Sequence, residues 1–183
     1  MNQTSMRVCA QVSAFAAAML IAGSAAAVTK QEYQASKDRI TADYKAASTK
    51  CGSLSGQPKD LCVAEAKAAQ KRANARAQAD YENTPKAREN AAVADAEATY
   101  MVSKEQCATK SGNDKDVCLK AAKAALTKAK ADAKATRQTA VARTDAKDTK
   151  RDADYKVARE KCDPLTGAAK DKCVADAKAK YAQ

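Results

Sequence analysis

The sequence predicts an all-α protein: three consecutive antiparallel helical hairpins with long Ala-rich helices, each hairpin stapled by a local disulfide. Three observations carry this prediction. The first is a motif written three times, as Tyr44, Cys51, Gly56, Lys59, Asp60, Cys62, then Tyr100, Cys107, Gly112, Lys115, Asp116, Cys118, then Tyr155, Cys162, Gly167, Lys170, Asp171, Cys173. Internal repeats of this kind mark one structural unit used several times. The second is composition: beyond residue 27 there is no Phe or Trp, Met101 is the sole Met, and Ala dominates the apolar residues. Ala is the best helix former and buries little area, so long helices with thin seams follow rather than a thick core. The third is periodicity. Tyr33, Ile40, Tyr44, Ala47 and Cys51 fall on one face of a helix, and Val93, Ala96, Tyr100, Ser103 and Cys107 repeat that face.

In chain order, residues 1–27 read as a secretory signal peptide. A short segment bearing only Arg7 leads into the apolar run from Val8 to Gly23, and Ser24-Ala25-Ala26-Ala27 supplies a small-residue cleavage site. An uncleaved anchor is the competing reading, weakened by Gln11, Ser13 and the Ala-rich site. Export implies a periplasmic or secreted protein with no further membrane segment. With Cys9 removed, the Cys count is even, which in a secreted chain reads as disulfides. The identical separation within each pair favours local bridges: Cys51–Cys62, Cys107–Cys118 and Cys162–Cys173. A metal site is the rival reading. The chain has no His, and the gap between paired Cys is wider than zinc pairs use, so neither metal nor cofactor is expected.

The hairpin repeats are assigned to residues 28–83, 84–138 and 139–183. Thr29 with Glu32 forms a capping box, and Thr84 before Pro85 suits an N-cap and first helical position. Thr139 has neither support, and helix could run through that junction. After the first Cys comes a connector whose Gly (56, 112, 167) permits positive φ, preceded by Ser55, Ser111 or Thr166 as a cap. The second Cys is expected to open the second helix, with Lys-Asp in its first turn and the Asp placed against the helix dipole. Counting seven residues from each Cys sets Tyr44 level with Ala69 and Tyr100 level with Ala125, a ring against a small residue. In the third unit Asp148 and Asp152 continue the stripe, so its upper part should be frayed or solvent-facing. Asp116–Lys120, Asp152–Lys156 and Asp176–Lys180 are spaced as helix-supporting pairs.

The chain carries a net charge of +11, from 33 basic and 22 acidic residues. Such a chain is drawn to anionic surfaces. Lys67, Lys71, Arg72 and Arg76 have no acid among them, and Lys120, Lys123, Lys128, Lys130, Lys134 and Arg137 are opposed only by Asp132. These residues are the candidate anion-binding surface; the competing reading is a solvated helix face. Catalytic signals are missing. Without His there is no Ser-His-Asp or Cys-His arrangement, and no Gly-rich phosphate loop exists. No catalytic residues are assigned, and an enzyme is not expected.

The segments Tyr44-Lys45-Ala46-Ala47-Ser48-Thr49-Lys50-Cys51, Tyr155-Lys156-Val157-Ala158-Arg159-Glu160-Lys161-Cys162 and Lys170-Asp171-Lys172-Cys173-Val174-Ala175-Asp176-Ala177-Lys178 carry a resemblance. The mature chain resembles exported Ala/Lys-rich Cys-repeat proteins of Burkholderia-like betaproteobacteria, some labelled TolA-like cell envelope biogenesis protein. The resemblance implies an envelope location and transfers no site. It departs from TolA itself, which keeps a membrane anchor and a globular C-terminal domain.

Three functions compete at this point. One is a non-enzymatic structural or interaction protein, a basic helical repeat scaffold associating with anionic envelope polymers, lipid head groups or another envelope protein. A second is a basic nucleic-acid-binding protein, whose affinity would fall steeply with salt. The third is a Cys-based redox or metal stress protein, which requires free thiols.

Overall fold

The computed structural model describes residues 28–182, so the signal-peptide reading of residues 1–27 lies outside the described residues. The described chain is five helices and their connections: α1 Lys30–Cys51, α2 Gly56–Glu82, α3 Pro85–Ala108, α4 Gly112–Glu160 and α5 Gly167–Tyr181. The all-α hairpin fold is the one the repeats predict. Cys51–Cys62, Cys107–Cys118 and Cys162–Cys173 are each bonded, with Cα atoms 5.6, 5.6 and 5.8 Å apart. Each bridge ties the end of one helix to the start of the next.

The predicted starts of α1 and α3 hold. The Thr29 hydroxyl accepts from the Glu32 N–H at 3.2 Å, and the Glu32 carboxylate accepts from the Thr29 N–H at 2.8 Å, closing the capping box. Thr84 accepts from the Ala87 N–H at 3.0 Å, with Pro85 at the first helical position. The starts of α2, α4 and α5 need correcting. These helices begin at Gly56, Gly112 and Gly167, well before the second Cys, with φ of +59°, +50° and +57° at the Gly. Left-handed backbone at these positions is what Gly tolerates without a Cβ penalty. Ser55, Ser111 and Thr166 have the extended backbone of an N-cap but make no side-chain cap hydrogen bond. Lys59-Asp60 and its copies consequently sit one turn into the helix, and the Asp is displaced from the dipole role expected for it.

α4 is one unbroken helix of 49 residues, about 74 Å long at 1.5 Å per residue. The boundary between residues 138 and 139 therefore falls inside it. The boundary at 83/84 falls on the α2–α3 turn, where Asn83 takes a left-handed φ of +48° as the α2 C-cap. Asp148 and Asp152 are part of intact helix and face solvent, so of the two outcomes expected for this stretch it is solvent exposure and not fraying that is found.

Each helix packs only on its neighbours in sequence: α1 on α2, α2 on α3, α3 on α4, and α4 on α5. The two seams of α3 lie on opposite sides of it. Met101 and Glu105 share a hollow with Lys59, Val63 and Ala64 of α2. Ala96, Tyr100 and Ser103 share a groove with Ala122, Ala125 and Ala129 of α4. Residues 103 and 105 are about 200° apart around a helix. So α2, α3 and α4 form a layer one helix thick, with two broad faces. The seams are made of Ala: Ala68 and Ala98 are fully buried, with Ala64, Ala79 and Ala87 close to it. Small side chains let the backbones approach, at the cost of little buried area per residue. Tyr44 and Tyr100 stand level with Ala69 and Ala125 in their grooves, as the count from the Cys predicts. The three sulfurs that end the first helices, on Cys51, Cys107 and Cys162, belong to the most completely buried side chains of the described residues.

The open end of the first hairpin holds a contact not read from the sequence. The Tyr33 and Tyr81 rings stack at 4.7 Å with an interplanar angle of 11°, and the Tyr33 hydroxyl donates to Gln78 Oε1. The third hairpin is the lightest. Only Cys162 and Ala177 are buried there, with Tyr155 and Tyr181 tilted at 6.4 Å.

Candidate anion-binding face

The ten basic candidates are divided by the layer. Residues 95 and 97 of α3 point to opposite broad faces, being about 200° apart on the helix. Glu97 receives Lys71 of α2 at 2.5 Å and Lys130 of α4 at 2.6 Å. These two ion pairs lock the layer together on one face. Asp95 receives Arg72 at 2.9 Å and Arg76 at 3.8 Å on the other, with Arg72 also donating to the Thr99 hydroxyl at 2.8 Å. Arg137 pairs with Glu89 at 2.7 Å, next to Lys86 at 2.9 Å from the same carboxylate. Half of the predicted surface is thus engaged in holding helices together: Lys71, Arg72, Arg76, Lys130 and Arg137.

Lys67, Lys120, Lys128 and Lys134 have no ion-pair partner among the described residues, and Lys123 rests 5.5 Å from the Tyr100 ring. Position along the helix sorts these too. Lys67 precedes Lys71 by one turn on α2. Lys123, Lys130, Lys134 and Arg137 are spaced seven, four and three along α4, one stripe of a helix. All six therefore share the Glu97 face. Lys128 falls on the Asp95 face and Lys120 at the outer edge of the layer. Lys86 and Lys104 of α3, not singled out from the sequence, lie on the Glu97 side at spacings of eleven and seven from Glu97. Where the three helices overlap, the acids on this side are Asp60, Glu82, Glu89, Glu97 and Asp116, so bases prevail there; beyond the end of α3, Asp145, Asp148 and Asp152 continue the Lys134–Arg137 stripe of α4.

Two of the seam carboxylates, Glu97 and Glu89, are shifted toward the ionised form. Hydrogen bonds from Lys130 and then Lys71 pull the Glu97 carboxyl below the usual glutamate range, against a smaller opposing effect of burial. Glu89 is lowered too, first by its hydrogen bond from Lys86. Two spaced pairs expected within helices do not form. Asp116 and Lys120 stay apart, and Asp176 is taken by Lys172 at 3.0 Å rather than by Lys180.

A groove of about 510 Å³ runs along the α3–α4 seam, floored by Ala with Tyr100 and Leu126. The Glu89–Arg137 ion pair is part of its lining. Among the described residues no cluster of His, Cys, Asp or Glu is placed to hold a metal ion, and no helix is long and apolar enough to cross a membrane. Comparison with known protein families, curated proteins and solved structures finds no match to this chain.

Proposed function

We propose that this chain is a non-enzymatic, exported structural or interaction protein: a basic helical repeat scaffold that associates with anionic components of the cell envelope. The observation that supports it is the Glu97 face of the layer. There Lys67, Lys123 and Lys134 extend from three-helix packing without an acidic partner, alongside Lys71, Lys130 and Arg137 whose charges are shared with Glu97 and Glu89. A flat basic surface suits a flat or extended polyanion, and its attraction would be long-range and screened by salt. The periplasmic or secreted location rests on the composition of residues 1–27, on the local disulfides, and on the resemblance to exported envelope proteins.

Co-sedimentation of the oxidised protein with phosphatidylglycerol vesicles, with phosphatidylcholine vesicles and with lipopolysaccharide tests the reading. Binding to the two anionic targets should be retained at about 0.15 M salt, where charges act over roughly 8 Å. The triple variant Lys67→Glu/Lys123→Glu/Lys134→Glu should lose it, while Lys128→Glu, on the opposite face, should keep it. Equal binding to neutral vesicles, or equal loss in both variants, would refute the face. Tighter binding to duplex DNA than to either anionic envelope target would favour the nucleic-acid alternative.

A further inference from the structure

We infer that the outer edge of α4 is a homodimerisation surface that pairs antiparallel with α4 of a second copy. The chain supplies its own template. The repeat offset that carries Cys62 to Cys118 carries Leu61, Ala68, Ala75 and Ala79 of α2 to Val117, Ala124, Ala131 and Ala135 of α4. On α2 this face is the seam covered by α3, with Ala68 fully buried and Ala79 nearly so. On α4 the equivalent side chains are exposed, Val117 at 56%, because the chain runs straight on at Thr139 instead of turning as it does at Asn83-Thr84. α5 does not cover them: Ala158 and Cys162, which face α5, lie on the side of α4 that α3 occupies higher up. The edge is therefore uncovered along the length of the helix among the described residues.

A second copy fits this edge by charge as well as shape. In the template, Arg72 and Arg76 flank the seam and reach across it to Asp95. Their equivalents are Lys128 and Asp132, and neither has an ion-pair partner among the described residues. Asp132 and Arg143 bound one shallow hollow on α4, with Ala135, Thr136 and Thr139 between them. A two-fold axis near Gln138 places Arg143 of each copy beside Asp132 of the other; it also brings the exposed Lys120 level with Lys156, so the charge match is at the centre of the pair and not at its ends. The same register sets Val117 against Val157, two of the large apolar side chains the described surface exposes. A parallel pairing would instead oppose the two Lys-rich N-terminal halves of α4. Packing edge to edge about an axis perpendicular to the layer keeps both Glu97 faces on one side. The inference does not depend on what that face binds.

Sedimentation equilibrium of the oxidised protein tests it. A reversible dimer is expected in the micromolar range. Ala131→Glu/Ala135→Glu, at exposed positions that leave the helical spectrum unchanged, should weaken it at least about tenfold, equivalent to ~1.4 kcal/mol. Asp132→Arg and Arg143→Asp should each weaken the dimer, and the double swap should restore it. A monomer at concentrations up to about 100 µM, as expected if a foreign helix or residues 1–27 cover the edge, overturns the inference. So does a dimer indifferent to the Ala variants, and a failure of the double swap to rescue overturns the antiparallel register.

Discussion

Removing the third disulfide should detach α5 while leaving the rest of the molecule folded. In Cys162→Ser/Cys173→Ser the closed loop of the last hairpin opens. For a loop of this length the chain-entropy relation gives about 3 kcal/mol of lost stabilisation. Little remains to oppose it. Ala177 is the one buried residue of α5, and the tilted Tyr155–Tyr181 pair contributes on the order of 1 kcal/mol. The Lys170–Asp163 pair at 3.1 Å is half exposed and is worth less than about 1 kcal/mol. An isolated helix of 15 residues is marginal in water. Hydrogen exchange read by mass spectrometry should show amides of residues 167–181 exchanging roughly 100-fold faster, since each 1.4 kcal/mol is a factor of about ten. Amides of α2 and α3 should be unchanged. If protection in α5 falls by less than about threefold, the view that the bridge rather than Ala packing holds this hairpin is wrong.

Other substitutions probe the layer. Glu97→Gln should cost about 1 kcal/mol, because both ion pairs it ends are partly exposed and screened. A carboxyl lowered in the folded state contributes stability above its unfolded pKa and loses it as pH falls through the folded value. The wild-type urea midpoint should thus fall below about pH 4.3 more steeply than that of Glu97→Gln. Ala98→Leu puts three extra carbons into a fully buried seam and should destabilise by about 1–3 kcal/mol, measured by thermal melting. Gly56→Ala, at φ +59° with open space around the Cβ, should cost about 1–2 kcal/mol through backbone conformation alone.

The sequence reveals most where it repeats. The three bridges and the Tyr-to-Ala levels follow from positions counted outward from the Cys, because a hairpin pinned at its base has a fixed register. The same count would have found the Tyr33–Tyr81 stack: one ring lies 18 residues before Cys51 and the other 19 after Cys62. The ion pairs are different. Lys71 and Arg72 look unopposed within α2 because their acids, Glu97 and Asp95, are on another helix more than 20 residues away. Only knowledge of which faces of α3 meet α2 and α4 pairs them. The starts of α2, α4 and α5 are not legible in the sequence because a Gly with positive φ reads as a connector, although here it is already the first helical residue.

That every helix touches only its neighbours in sequence has a consequence for how the molecule assembles. No part of it waits for a distant segment. A chain emerging N-terminus first can close each pair of rods as soon as the second has appeared, and each cysteine meets its own partner before the next pair exists. Contacts this local favour rapid folding. They also leave little opportunity for crossed bridges, so an oxidising environment would fix the native pairing without needing to reshuffle it.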